Sequence, residues 1–366
     1  MTSAERPTEA PVEPRDDLRA LEGYHSAQVD VAVRLNTNES PYAPPPGFVE
    51  EWTQRLAQVP LHRYPDRSAR DLRRALGRHL AQPVERLFCA NGSNEVLQTL
   101  LLTYGGAGRR VAVFEPTYAL HSHIARITGT EVVVGERGAD FAIDPGSAAA
   151  LLRETRPTIT LLCSPNNPTG TVERPETVAT LLDATDGLVV VDEAYGEFSD
   201  WSALGLIDDG GRLVVVRTYS KVWSMASLRL GFCVAPPWVV AELEKVVLPY
   251  HLAVPTQLAG ILALDHVTEM DARVSWLVEE RTRVVDALNG LPGLTVFPSG
   301  ANFVLVQVDG DGHALWQRLV DRGVLVRDFA RWPRLDNCLR ITIGTAAEND
   351  AFLAALREAL EEVPVT

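Results

Sequence analysis

Two lysines, Lys221 and Lys245, stand among the 34 Lys and Arg residues of this 366-residue chain. Arginine stays protonated at any ordinary pH, whereas a desolvated lysine loses its proton and forms a Schiff base with a carbonyl. A lysine kept in so arginine-biased a chain is a candidate for amine chemistry. Lys245, in the helical-looking WVVAELEKVV, reads as a surface charge. Lys221 alone permits that reading too, and its neighbours decide. It follows the apolar run RLVVV within TYSKVWSMASLRLG, with Thr218 and Ser220 before it and Arg229 after it.

Amine chemistry needs a scaffold that brings other groups to the lysine. Between about residues 68 and 265, short apolar runs alternate with amphipathic helical patterns. The runs are RLFCA, RVAVFEP, EVVV, TITLLC, GLVVVDE, RLVVV and LGFCVA. They are rich in Val, Ile and Leu without strict alternation, as in strands buried on both faces of a mainly parallel α/β sheet. SARDLRRALGRHLA and SNEVLQTLLLTY read as helices with serine at the N-cap. A long helical stretch near 255–288 leads to a second α/β unit, with strands ANFVLVQV and LRITIG and a closing helix over 346–362.

Three runs end in polar groups: TITLLC in SPNNPTG, GLVVV in DEAY, and RLVVV in RTYSK. Ligands of open α/β sheets bind beyond the carboxyl ends of the strands, so Asn167, Asp192, Tyr195 and Lys221 would converge on one crevice. RLFCA ends in NGSNE, where Gly92 permits a tight turn and the N–H groups of Ser93 and Asn94 offer an anion site. Arg229 would cap the same anion.

A carbonyl-binding lysine, an acid, a phenol and a phosphate cradle together match pyridoxal 5′-phosphate. Lys221 would hold it as a Schiff base. Asp192 would keep its pyridine nitrogen protonated, and Tyr195 and Asn167 would hydrogen-bond its phenolic oxygen. Tyr118, in EPTYAL, would stack on the ring, and Thr218, Ser220 and Arg229 would join the helix N-terminus around the phosphate. Taken singly, each has a plainer role: Asp192 as a cap, SPNNPTG as a turn, Tyr118 as core. The joint pattern carries the reading.

The length fits about two domains with an ample core. A net charge of −14 and a pI near 5.1 argue against nucleic acid or an anionic membrane as partner. No apolar stretch reaches membrane-span length, and the start, MTSAERPTEAPVEPRDD, lacks an apolar signal core and reads as a solvated tail. The four cysteines, Cys89, Cys163, Cys233 and Cys338, lie far apart and show no metal spacing, as buried thiols of a reducing cytoplasm would. His121 and His123 in HSH read as structural or surface residues, since alternate positions on a helix do not share a face.

The order NGSNE, EPTY, SPNNPTG, DEAY, TYSKVWSMASLRLG and LRITIG resembles the fold-type-I, class I/II aminotransferases. GYHS, VRLNTNESPY and HRYPD are similar to the signatures of the histidinol-phosphate aminotransferase subgroup within them, so the resemblance covers nearly the whole chain. It implies an N-terminal arm over 1–40, a large cofactor-binding domain over 41–264 with a mainly parallel seven-stranded sheet, and a small α/β domain over 265–366. It implies a homodimer with sites at the interface, in which Tyr64 reaches the partner's cofactor phosphate. It implies that Arg340 binds the substrate carboxylate or its equivalent, that Arg327 in VLVRDF contacts a substrate phosphate, and that Tyr24, Asn38 and Asn167 help enclose the substrate. The implied reaction is ping-pong exchange of nitrogen between histidinol phosphate and 2-oxoglutarate, yielding imidazole-acetol phosphate and glutamate. Aromatic amino-acid aminotransferases keep very similar motifs, and a phosphothreonine-type decarboxylase shares the scaffold. A non-catalytic regulator would need a DNA-binding appendage, which the short acidic start does not offer. Ser227 departs from the pattern, since relatives often place glycine two before the arginine.

Overall fold

The valine-rich runs fold as strands whose side chains alternate between two separate cores. Val189, Val191 and Val215 pack on one face of a sheet, while Val190, Val214 and Val216 pack on the other. Burial on both faces explains why those runs lack a polar alternation. The computed structural model describes residues 12–19, 21, 23 and 27–362; the first eleven residues and Tyr24 lie outside the described residues.

Among the described residues, twelve strands form two sheets. They are β1 (Val33–Leu35), β2 (Leu87–Ala90), β3 (Arg110–Glu115), β4 (Glu131–Glu136), β5 (Ile159–Cys163), β6 (Leu188–Asp192), β7 (Leu213–Thr218), β8 (Gly231–Val234), β9 (Leu294–Val296), β10 (Phe303–Val308), β11 (Val324–Asp328) and β12 (Cys338–Thr342). The seven-stranded sheet has the order β2-β8-β7-β6-β5-β3-β4. Only β8 runs against its neighbours. The five-stranded sheet has the order β1-β11-β12-β10-β9. Its β1 comes from the start of the chain and pairs parallel to β11, which ties residues 33–40 to the second sheet.

The helix Val267–Asn289 leads from the first sheet to the second. The helix Ala346–Glu361 closes the chain with a capping box between Thr345 and Glu348. Both expected serine caps are corrected. The helix Arg70–Leu80 has Ala69 at its N-cap, and Asp66 accepts from the backbone N–H groups of Ser68 and Arg70 instead. The helix Ser93–Tyr104 begins one residue earlier than expected, with Gly92 at the N-cap and no side-chain cap at all. All four cysteines are buried and free. Among the described residues, no helix is long and apolar enough to cross a membrane and no cluster of metal-ligating residues occurs.

Candidate active site

Strands β5, β6 and β7 are adjacent and parallel, so their carboxyl ends open side by side. The loops after them carry Asn167, the Asp192–Tyr195 stretch and Lys221 into one cavity of about 410 Å³. The cavity is also lined by Ser93 and Asn94 from the helix after β2, by Tyr118 from beyond β3, and by Asn38 and Arg340 from the second sheet. The site therefore forms where the two sheets meet.

Lys221 donates from Nζ to the carbonyl of Thr37 at 3.1 Å, and Nζ lies 5.7 Å from the centroid of the Tyr195 ring. Burial and the nearby Arg340 guanidinium lower its ammonium to about 7; Glu39 opposes this, and Arg229 adds to it. At neutral pH much of Lys221 is a free amine, the form that attacks carbonyls.

Asp192 is buried at the end of β6. Its Oδ1 accepts from the Ala194 N–H at 3.1 Å, and its Oδ2 lies 3.1 Å from His121 Nε2. His121 is fully buried, its ring stands edge-on to Tyr118, and its Nδ1 has no hydrogen-bond partner. Of the two readings of the histidine pair, His121 takes the structural one, as the partner of the Asp192 carboxylate. The available signal was spacing: His121 follows Tyr118 by three, which puts both on one face where the helix Ala119–Ile127 starts.

The Tyr195 hydroxyl accepts from Asn38 Nδ2 at 2.9 Å and from Asn167 Nδ2 at 3.5 Å. Burial pushes its phenol above the ordinary value. Arg340 donates to Asn167 Oδ1 and, at 2.7 Å, to the Asn36 carbonyl. Asn38 is fixed in a left-handed conformation by Thr342, which accepts from its N–H and donates to its Oδ1. One polar chain thus joins the two sheets across the cavity. Thr37 and Glu39, on either side of Asn38, also belong to the cavity wall.

The other end of the cavity is built to hold an anion. The uncapped N–H groups at the start of the helix Ser93–Tyr104 face it. Arg229 donates to Ser220 Oγ at 3.3 Å, and Thr218 Oγ1 donates to the same oxygen at 3.0 Å. Gly92 sits at φ 80°, and a Cβ there would come within 2.5 Å of the Arg229 guanidinium, so only glycine lets the two meet. A lysine amine, a buried carboxylate, a phenol and this cradle are the donor set that pyridoxal phosphate requires, and the residues present fit it. Ser227 takes its place on the wall without closing the cavity.

Arg327 lies directly across from Arg340 in the β11–β12 pair. It lines a small recess that shares Tyr118, Asn167 and Arg340 with the main cavity. The Phe329 ring lies 5.5 Å from the Arg327 guanidinium and 5.6 Å from that of Arg340. Tyr64 does not line the cavity of its own chain. It is 80% exposed and stacks on Tyr250 at 4.6 Å.

The sheet order and this site define the fold-type-I class of enzymes. The chain belongs to the aminotransferase class I and II family, whose pattern its residues 30–356 match. It is 44% identical to histidinol-phosphate aminotransferase of Mycolicibacterium vanbaalenii over 355 residues, covering 93% of this chain and 94% of that one. It is 45% identical to the enzyme of the same description from Streptomyces avermitilis over 361 residues, covering 95% and 96%. Its fold superposes with a TM-score of 0.84 on the Sinorhizobium meliloti histidinol-phosphate aminotransferase in complex with pyridoxal-5′-phosphate, at 26% identity over 90% of this chain and 91% of that one.

Proposed function

We propose that the chain is a pyridoxal-phosphate-dependent transaminase that exchanges nitrogen between histidinol phosphate and 2-oxoglutarate, giving imidazole-acetol phosphate and glutamate. The observation that carries the substrate reading is the cross-strand pair of buried arginines, Arg327 and Arg340. Two guanidiniums suit a phosphate monoester in one half-reaction and a dicarboxylate in the other. The similarity to histidinol-phosphate aminotransferases over most of the chain supports it.

When bound, pyridoxal phosphate supplies an aldehyde that takes up primary amines and a ring that draws electrons from the substrate α-carbon. Lys221 Nζ would hold the aldehyde, Asp192 would face the ring nitrogen, and Tyr195 and Asn167 would face the phenolic oxygen. The amides of Ser93 and Asn94, with Thr218, Ser220 and Arg229, would hold the phosphate, and Tyr118 would stack on the ring. Lys221 Nζ, when not holding the aldehyde, would carry a proton between the substrate α-carbon and the carbon that bore the aldehyde, a role its lowered pKa suits. Asp192, held by His121 and the Ala194 amide, would face the ring nitrogen and keep a proton there. Arg340, oriented by Asn36 and Asn167, grips the carboxylate of glutamate, and Asn38 with Arg327 encloses the substrate.

In this reading the chain divides into an arm over 1–40, a large domain over 41–264 and a small domain over 265–366, a division the two sheets support. It acts in the cytoplasm as a homodimer in which Tyr64 reaches the partner's phosphate site. The exposed Tyr64–Tyr250 stack beside exposed Leu61 and Leu248 supports that face as an interface.

The test is Arg327→Gln assayed on histidinol phosphate and on phenylalanine, each with 2-oxoglutarate. Losing a charge-assisted contact to a buried phosphate costs about 2–5 kcal/mol. At 1.4 kcal/mol per tenfold, that is roughly thirty- to several-thousand-fold in kcat/KM. Histidinol phosphate should suffer that loss and phenylalanine should not. A wild-type preference for phenylalanine, with Arg327→Gln indifferent, would assign the aromatic amino-acid reaction instead.

A further inference from the structure

Glu115 and Glu136 end β3 and β4 as directly opposed partners, two carboxylates side by side at the cavity edge of the first sheet. Like charges in that position repel. The cation between them comes from the second sheet: Arg334, on the segment between β11 and β12, donates to Glu115 Oε2 at 2.9 Å and to Glu136 Oε2 at 2.6 Å. Pairing holds the Glu136 carboxyl below its ordinary range.

The segment that Arg334 anchors is well defined by its own backbone bonds. The Trp332 N–H donates to the Phe329 carbonyl, the Leu335 N–H to that of Trp332, and the Asn337 N–H to that of Ala330. Phe329 and Leu335 also pack with Phe141, which follows β4. Phe329 and Trp332 meet edge-on at 5.2 Å and form the aromatic wall of the recess beside Arg327 and Arg340. On the other side, Glu115 lies three residues before Tyr118, which belongs to the same recess. Arg334 therefore joins the segment bearing the recess wall to the strand bearing Tyr118.

We propose that Arg334 is a positioning residue for substrate selection: it latches segment 329–337 to the ends of β3 and β4, so that Phe329 and Trp332 close the recess around the ring of the amino donor. The latch acts on donors whose side chain extends into the recess. Glutamate, held by Arg340 and Arg327 through its two carboxylates, presents no ring to Phe329 and Trp332 and is affected far less. An exposed ion pair acting only on stability would change little, so selective kinetics separate the two roles. This inference rests on the recess being where the donor's side chain binds, as the proposed function holds.

The experiment compares wild type with Arg334→Gln, Arg334→Lys and Glu136→Gln as holoenzymes, in separate half-reactions with histidinol phosphate, phenylalanine and glutamate. Arg334→Gln should raise KM for the preferred ring-bearing donor roughly tenfold, with kcat within about twofold and glutamate KM nearly constant, the pattern of lost binding. Arg334→Lys should recover part of the loss. Glu136→Gln, at a mostly exposed position that leaves Glu115 in place, should show a smaller change of the same sign. Equal changes for ring-bearing donors and glutamate, or none in any variant, would overturn the latch. A wild type that turns over phenylalanine but not histidinol phosphate would overturn the substrate reading alone, because the latch is then read on phenylalanine.

Discussion

The seven-stranded sheet carries a cavity at each end, and the larger one is not the site. At the amino ends of β3, β5, β6 and β7 a cavity of about 680 Å³ is lined by Arg109, Arg153, Arg156 and Arg212. At the carboxyl ends the cavity is about 410 Å³ and holds Lys221. Helix polarity distinguishes them. The helices Ser93–Tyr104, Pro145–Thr155 and Pro175–Ala184 finish at the larger cavity with their carbonyls outward. Its arginines answer those carbonyls: Arg212 donates to Leu182 and Thr185, and Arg109 to Tyr104. Positive charge there caps negative helix ends. At the smaller cavity the helix Ser93–Tyr104 instead presents uncapped N–H groups, and Arg229 adds to their field. The same residue type thus satisfies the fold at one end and leaves anion-binding capacity at the other.

Substitutions at the two ends should separate the roles. The largest effect belongs to Asp192→Asn, which should cut turnover by roughly 10³-fold while the cofactor still binds through its phosphate. Steady-state rates, with absorbance to confirm occupancy, check it; a near-normal rate would mean that another group holds the ring nitrogen's proton. The smallest effect belongs to Arg212→Gln at the other cavity. Losing its two carbonyl contacts should cost about 1 kcal/mol of stability with kcat/KM unchanged. Denaturant titration beside the kinetic assay reads both, and a kinetic defect there would break the comparison.

The difference between the two ends also marks what the sequence made legible. The central strands β5, β6 and β7 stand out because burial on both faces demands nearly unbroken apolar runs. Lys221, Asp192, Tyr195 and Asn167 stand out because they follow such runs directly. The first strand, VRL, has three residues, one of them exposed, and gains its partner only from β11, nearly three hundred residues later. Serine caps helices on average, whereas at the helix Ser93–Tyr104 Gly92 takes the cap and frees the amides. For His121 only the spacing to Tyr118 is local, because its partner Asp192 is distant in sequence. Arg334 carries no local pattern at all, since its carboxylates belong to the other sheet.

Lys221 is the centre of the account, and its environment sets a measurable pH dependence. Its folded pKa of about 7 lies below the ordinary lysine value of 10.5. The unfolded chain therefore holds a proton that the folded chain has released between those values, so raising the pH through that window favours the folded apoprotein. The most direct test is the rate at which cofactor-free protein takes up pyridoxal phosphate covalently, trapped by borohydride across pH 5.5–10 and located by peptide mapping. The account predicts one labelled peptide, bearing Lys221, and an uptake rate that rises through about pH 7 and then levels. Label on Lys245, or a rate still climbing toward pH 10, would contradict it.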